Sequence, residues 1–251
     1  MKLWCALALT LAHPHAAAQS STTSMPEGTT DVAVSVLLGS IPKAEGNTRR
    51  TLILVPNFWV QWSNGVFLEG LNLGMQLSSD PLLQYGPLLS LGLGSTRADM
   101  TGERPKKRLV PGAFVRFYPI YNVRIESTLE NGSSPDGSGV LLETRISYRL
   151  NIAARQSVAL AAGVSVGSGD YMQSTFGISR EQAARTGLAV HEASGGIKSV
   201  FAGARWNWQF SRKYTLGTSV TFSQLRGSAA ASPITSNPSG VSYLTSLTYQ
   251  F

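Results

Sequence analysis

From residue 50 to its end the chain alternates apolar and polar positions with period two. That spacing predicts strands with one face in an apolar medium and the other in a polar one. The last strand shows the pattern most fully. Val241, Tyr243, Thr245, Leu247, Tyr249 and Phe251 share one face, and Ser242, Ser246, Thr248 and Gln250 share the other, with Leu244 the single exception. A terminal strand that is greasy on one face and closed by an aromatic is what a bacterial outer-membrane barrel requires, and Tyr243, Leu247, Tyr249 and Phe251 form its expected C-terminal assembly signal.

Further strands are predicted at 50–62 and 65–77, joined as a hairpin across Ser63-Asn64-Gly65, where Asn-Gly supplies the positive φ angles of a tight turn. Others follow at about 83–94, 108–118, 121–131, 138–150, 155–167, 196–210, 212–225 and 240–251. Most of them are long enough for a tilted strand to cross a bilayer. The count is ten from residue 50 onward, and a weaker strand at Asp31–Gly39 would make eleven. Bacterial barrels have even numbers, so either that segment is not a strand or one more exists.

In the middle of the chain the polar face carries charge. Tyr121, Val123, Ile125 and Leu129 face lipid, and Asn122, Arg124, Glu126, Thr128 and Glu130 face inward. In the next strand Val140, Leu142, Ile146, Tyr148 and Leu150 face out, and Glu143, Arg145, Ser147 and Arg149 face in. A charge on the lipid side would cost roughly 2–4 kcal/mol at the midplane. Arg116, Arg124, Glu126, Glu143, Arg145 and Arg149 are therefore placed in the lumen as a charge network. It fills the barrel by internal salt bridges, which ranks first, or forms a charged constriction that selects solutes. Glu69 breaks the pattern by sharing a face with Phe67, Leu71, Leu73 and Met75. It sits near an interface, or a glycine at 70 or 74 marks a bulge. Aromatics at strand ends (Phe58, Trp59, Trp62; Phe117, Tyr118, Tyr121; Trp206, Trp208, Phe210, Tyr214; Tyr243, Tyr249, Phe251) are candidate girdle residues.

The N-terminus reads as a secretory signal over residues 1–18: Lys2, an apolar core from Leu3 to Ala12, and Ala16-Ala17-Ala18 before Gln19. Residues 19–30 form a polar, flexible periplasmic lead, and 31–251 the barrel. Cys5 is the only cysteine, so cleavage after Ala18 removes disulfide and thiolate chemistry together and lowers the net charge from +7 to +6. No apolar run long enough for a membrane helix follows the signal. With hydrophobic content of 43% and mean hydropathy near zero, the composition suits a barrel whose strands each keep one polar face. The positive balance suits anionic neighbours such as lipopolysaccharide or murein, or reflects solvated loops. Nucleic acid is not an expected partner, the one basic cluster being Arg104-Pro105-Lys106-Lys107-Arg108.

With the C-terminus in the periplasm, 226–239, 168–195, 132–137 and 95–107 count as external and Ser211-Arg212-Lys213 and 151–154 as periplasmic. Long connections then fall outside and short ones inside, except that Ser63-Asn64-Gly65 lands outside.

Catalytic chemistry finds little support. His191 is the only histidine beyond the signal, with Ser194, Ser199, Asp170 and Glu192 as the nearest triad partners in sequence. One histidine and no cysteine is a poor start for zinc, and Asp136 and Asp170 lie in no calcium-spaced series. Glu126 and Glu143 as paired glycosidase carboxylates would be held ionised among arginines, out of reach of a murein strand. No enzyme activity, metal or cofactor is expected.

Three segments carry a resemblance: Leu82-Leu-Gln-Tyr-Gly-Pro-Leu-Leu89; Tyr171-Met-Gln-Ser-Thr-Phe-Gly-Ile-Ser-Arg-Glu-Gln-Ala183 followed by Thr186-Gly-Leu188; and Ala231-Ser-Pro-Ile234. On these the chain from about residue 50 resembles the MipA/OmpV family of outer-membrane proteins, also called the MltA-interacting protein family. It departs where Leu93-Gly-Ser-Thr-Arg-Ala-Asp-Met100 follows the Gly-Pro strand. The Ser179-Arg-Glu-Gln-Ala-Ala-Arg185 run predicts a short helix in the long loop. The resemblance favours twelve strands and implies a barrel in the outer membrane, assembled by the barrel-assembly machinery. It also implies a scaffold that brings a lytic transglycosylase and a bifunctional murein synthase together. A small-solute channel through the charged lumen ranks second, and an adhesin acting through loops 95–107 and 168–195 third.

Overall fold

The computed structural model describes residues 25–92 and 107–251. The signal at 1–18, the first part of the 19–30 lead and the 95–106 part of the predicted external loop lie outside the described residues. Twelve antiparallel strands pair in chain order, and β1 (Thr30–Pro42) closes the barrel against β12 (Ser239–Gln250). Between them run β2 (Arg50–Trp62), β3 (Val66–Glu69), β4 (Asn72–Met75), β5 (Leu83–Gly92), β6 (Arg108–Ile120), β7 (Val123–Asn131), β8 (Val140–Ala153), β9 (Gln156–Gly167), β10 (Gly196–Trp208) and β11 (Tyr214–Leu225). The weak first segment is a full barrel strand, paired along its length with β2.

The twelfth strand comes from the segment expected to be one strand at 65–77. It is two short strands, β3 and β4, folded on each other with Glu69 opposite Asn72. Gly70 takes φ +62° between them, a left-handed conformation that glycine adopts without strain. This turn replaces the bulge expected at Gly70, and it corrects two other expectations. Glu69 faces the lumen with Phe67, and Leu71, Leu73 and Met75 face out, because the reversal exchanges the faces. One more reversal also moves Ser63-Asn64-Gly65 to the short-turn rim, and the short connection on the outer side is now the 70–71 turn of the β3–β4 hairpin.

The two rims differ in most of their connections. One carries those at 63–65, 76–82, 121–122, 154–155 and 209–213; among the described residues the other carries those at 43–49, 132–139, 168–195 and 226–238, and the two-residue 70–71 turn of the short β3–β4 hairpin also points to that side. Short turns lie in the periplasm and long loops outside. Facing parity follows the sequence pattern on most strands. Trp59 and Tyr118 are corrections: Trp59 lies opposite the buried Ala33, and Tyr118 shares the face of Arg116, so both sit on the lumen side and leave the girdle. The other aromatics at the periplasmic ends of β10–β12 form a continuous belt, in which Trp206, Trp208, Phe210, Tyr214, Tyr249 and Phe251 touch in turn with centroids 4.8–6.1 Å apart. Tyr243 and Leu247 also face lipid.

A glycine fixes the closest approach in the wall. A Cβ at Gly86 would run into the carbonyl oxygen of Met75, so β4 and β5 meet only because residue 86 has no side chain. Gly86→Ala is expected to separate that ladder and cost roughly 1–3 kcal/mol. The check is the folded fraction recovered from the membrane, read as unheated gel mobility.

Candidate functional site in the barrel lumen and its cap

The lumen-facing positions of β6–β8 hold the predicted charges, Glu69 of β3 joins them, and the register brings them together. Arg116 on β6 lies opposite Glu126 on β7, which lies opposite Arg145 on β8. Arg116 pairs with Glu126 at 2.6 Å and with Glu69 at 2.8 Å, and Arg124 approaches Glu126 at 3.5 Å. Arg145 pairs with Glu143 at 2.9 Å, and Ser165 donates to the other oxygen of Glu143 at 3.2 Å. The Arg116 guanidinium also lies over the rings of Phe67 and Phe114, 5.0 and 4.9 Å from their centroids, and Arg145 over Phe201 at 5.4 Å. Gly163 makes room for Phe201, whose ring a Cβ there would strike. Glu69, Asn72, Arg116, Glu126, Thr128, Glu143 and Arg145 enclose a cavity of about 40 Å³, room for a few waters. Glu126 and Glu143, weighed as a glycosidase pair, are both tied to arginines.

Arg149 lies level with Arg205 across the small Ala159. Arg205 was not singled out in the sequence, although its parity with Phe201 and Asn207 was available to place it inward. It is 5% exposed, and its Nε and Nη2 donate to Asn207 and Ser246 at 2.8 Å. It reaches Ser246 by lying across Gly217, where a Cβ would collide with it. The lumen is thus charge-segregated: carboxylates with arginines on the β3–β8 wall, and arginine among hydroxyls on β10–β12.

External loops interlock above the mouth. The 168–195 loop forms two helices, α1 (Gly169–Phe176) and α2 (Arg180–Thr186), and a third, α3 (Gly227–Ala230), follows β11. The predicted helix at Ser179 is α2: Ser179 accepts from Gln182 N–H while the Gln182 side chain accepts from Ser179 N–H, a capping box. Helix α1 was not anticipated. It buries Tyr171, Met172 and Phe176 against Leu225 and Ala229, so the distinctive Tyr171–Ile178 string is the packing face of a cap. His191 Nε2 lies 3.0 Å from the Ser228 carbonyl oxygen and joins two loops. At Lys198 the β9–β10 register shifts by one residue, and this bulge turns a lysine into the interior. Lys198 is 2% exposed, pairs with Glu45 of the 43–49 loop at 3.0 Å and lies 5.9 Å from the Tyr171 ring centroid. Lys198 and Glu45 are the functional pair most easily missed in the sequence, because only the bulge aims Lys198 inward.

The 132–139 loop closes the remaining side. Ser138 donates from its backbone and hydroxyl to Asp136 at 2.9 and 2.6 Å, and Ser134 donates at 2.8 Å. Partial burial alone would raise the Asp136 pKa, but hydrogen bonds from Ser138, Ser174 and Ser134 outweigh it and hold the carboxyl below its ordinary range. A depressed folded-state pKa contributes stability that is fully present above the unfolded value, near ~4, and is lost as pH falls below it. Asp136→Asn is therefore expected to loosen the loop at neutral pH, and mutant and wild type should converge in acid. Hydrogen exchange of residues 132–139 against pH measures this.

The model for the family described as MltA-interacting protein MipA matches residues 34–251. No curated protein matches the chain. Among solved structures, an outer membrane channel from Pseudomonas putida F1 is 10% identical over 92% of this chain and 98% of its own, with a TM-score of 0.48. The NanC porin is 10% identical over 87% and 100%, with a TM-score of 0.46. The outer membrane channel DcaP of Acinetobacter baumannii is 9% identical over 89% and 96%, with a TM-score of 0.42. With its closed ladder of twelve strands and a family match over most of its length, the chain belongs to the MltA-interacting protein MipA family and is an outer-membrane β-barrel.

Proposed function

We propose that the protein is an outer-membrane scaffold that docks a murein-acting enzyme, such as a lytic transglycosylase, on its periplasmic rim. The observation that carries this reading is a cationic patch on two linked turns. Gln209 N–H donates to the Arg155 carbonyl at 2.8 Å, and Arg155, Arg212 and Lys213 are all exposed there. Of the acids of this rim, Asp80 lies in the β4–β5 turn and Glu27 just before β1, while Asp31 of β1 is separated from Lys213 by the end of β12, whose Gln250 N–H donates to the Lys213 carbonyl. Such a patch steers an acidic surface of a partner into a fixed orientation. The family description, which names an interaction with MltA, adds support from outside the geometry.

The test is a photocrosslinker placed at Arg212 in living cells, followed by binding of the purified partner. Capture of a murein hydrolase or synthase, lost in the Arg155→Glu, Arg212→Glu, Lys213→Glu triple variant, supports the scaffold. Capture of assembly machinery and abundant envelope proteins alone overturns it. The charged cavity at Arg116 and Arg145 favours a second reading, a channel for small solutes. Under that reading planar-bilayer recordings give discrete steps whose ion selectivity changes in Arg145→Gln.

A further inference from the structure

Among the described residues, the lipid-facing positions of the strands carry one charged side chain, Arg50 at the outer end of β2. It shares the face of Leu52, Leu54 and Phe58 and is exposed. At the depth of the outer headgroups an arginine costs little against lipid, so the position is tolerated. An arginine that only escaped hydrocarbon would reach up into water and keep its rotamer freedom. Arg50 lies flat on the wall instead. It crosses β1 and reaches β12: Nε donates to the Ser40 hydroxyl at 2.9 Å, Nη2 to the Ser40 carbonyl at 2.7 Å and Nη1 to the Val241 carbonyl at 2.7 Å. The guanidinium also lies over Tyr243, 5.6 Å from the ring centroid. Tyr243 stands opposite Ser40, so the guanidinium and the ring straddle the seam where the first and last strands close the barrel.

These bonds use three of the five guanidinium N–H groups. The other two, one on each terminal nitrogen, have no partner among the described residues, and neither does the charge itself. Arg49 is exposed in the adjoining 43–49 loop and adds a second positive charge. Glu45, the acid of that loop, is held by Lys198 at 3.0 Å, and the neighbouring 226–238 loop contains no acid. Toward the membrane centre the same face is apolar and uncovered. Leu52 is 75% exposed opposite Ser40, and Leu54 is 66% exposed opposite Leu38, itself 49% exposed. A cation pinned above a strip of exposed aliphatic side chains is complementary to a molecule with an anionic head and hydrocarbon tails. A planar guanidinium with N–H groups to spare on both terminal nitrogens suits phosphate oxygens in particular.

We propose that Arg50, supported by the charge of Arg49, binds the phosphate of an outer-leaflet lipid headgroup, with the acyl chains of that lipid lying along Leu52, Leu54 and Leu38. The bound lipid braces the β1–β12 seam from outside, because the guanidinium that holds the phosphate also holds β2 to β12. The site lies on the rim opposite the periplasmic docking surface, and neither reading depends on the other.

The test is native mass spectrometry of the folded chain released from micelles of an uncharged detergent after addition of diphosphoryl lipid A. The wild type is expected to retain the lipid, and Arg50→Gln to bind it about tenfold more weakly. Arg50→Lys should fall between them, since an ammonium keeps the charge and loses the fork; it carries the comparison if Arg50→Gln does not reach wild-type unheated gel mobility. Dioleoylphosphatidylcholine, whose phosphate is neutralised by its own choline, should not be retained. Excess inorganic phosphate should not displace the lipid, because it lacks the tails. A diazirine in the acyl chain should label Leu52, Leu54 and Leu38 in preference to Leu142 and Leu160, which face lipid on β8 and β9. Equal retention by wild type and both variants overturns the proposal, as does equal retention of dioleoylphosphatidylcholine, displacement by inorganic phosphate, or label spread evenly around the barrel. So does a benzophenone at Leu52 that captures residues 93–106 of its own chain, or a second copy, in place of lipid.

Discussion

Replacing Arg116 by leucine is expected to lower the midpoint of the heat-induced gel-mobility shift more than any other single change in the lumen. Arg116 ties β3, β6 and β7 together through side chains, by its bonds to Glu69 and Glu126 and its seat against the rings of Phe67 and Phe114. Leucine keeps much of the packing volume but removes the ion pairs that Arg116 makes with Glu69 and Glu126 in the cavity wall. Breaking a buried pair from one side costs about 3–5 kcal/mol, and the partial exposure of this cluster argues for the lower end. For a chain of this size about 3 kcal/mol corresponds to roughly 6–12 °C in the midpoint. Because the loss comes from carboxylate charges that have lost the Arg116 guanidinium, adding Glu69→Gln and Glu126→Gln should recover part of it. A triple variant as unstable as Arg116→Leu alone would show that the arginine acts only as packing.

The second large effect is expected at the cap. Glu45→Gln leaves the Lys198 ammonium buried beneath α1 without its carboxylate, at a cost of about 3 kcal/mol. The cost falls on the contact between the 43–49 loop and the β10 bulge, beside which Gly46 O accepts from Ser236 N–H of the 226–238 loop at 2.8 Å. The cap should therefore open while the strands stay closed. Protease added to intact cells should cut the 168–195 loop faster than in wild type, with the heat-shift midpoint nearly unchanged. Lys198→Met removes the buried charge along with its partner and should be milder. Equal cleavage of wild type and Glu45→Gln would mean that apolar packing of Tyr171, Met172 and Phe176 holds the cap by itself.

These expectations rest on residues of unequal legibility. Arg116, Arg124, Glu126, Glu143, Arg145 and Arg149 were readable because strand parity is strict and a charge on the lipid face is costly. Glu69 was unreadable by the same rule, since a reversal at Gly70 exchanges the two faces and parity carries no mark of it. Leu244 looked like an error in an otherwise polar face; it belongs to an apolar strip assembled from β12, β1 and β2, which are distant in sequence until the barrel closes. Lys198 depends on a single inserted residue in β10, and Asp136 on hydroxyls contributed by two loops.

By itself the sequence determined the class of fold, the membrane it suits, the faces of the long strands and the alternation of short turns with long loops. Each of these follows from local periodicity and from the cost of placing charge in hydrocarbon. Only the tertiary structure decided the twelfth strand, the orientation of the 63–65 turn, the partners of each charge, the cap and the short β3–β4 hairpin beside β2. Those features arise from contacts between strands and loops far apart along the chain, set by closure of the barrel.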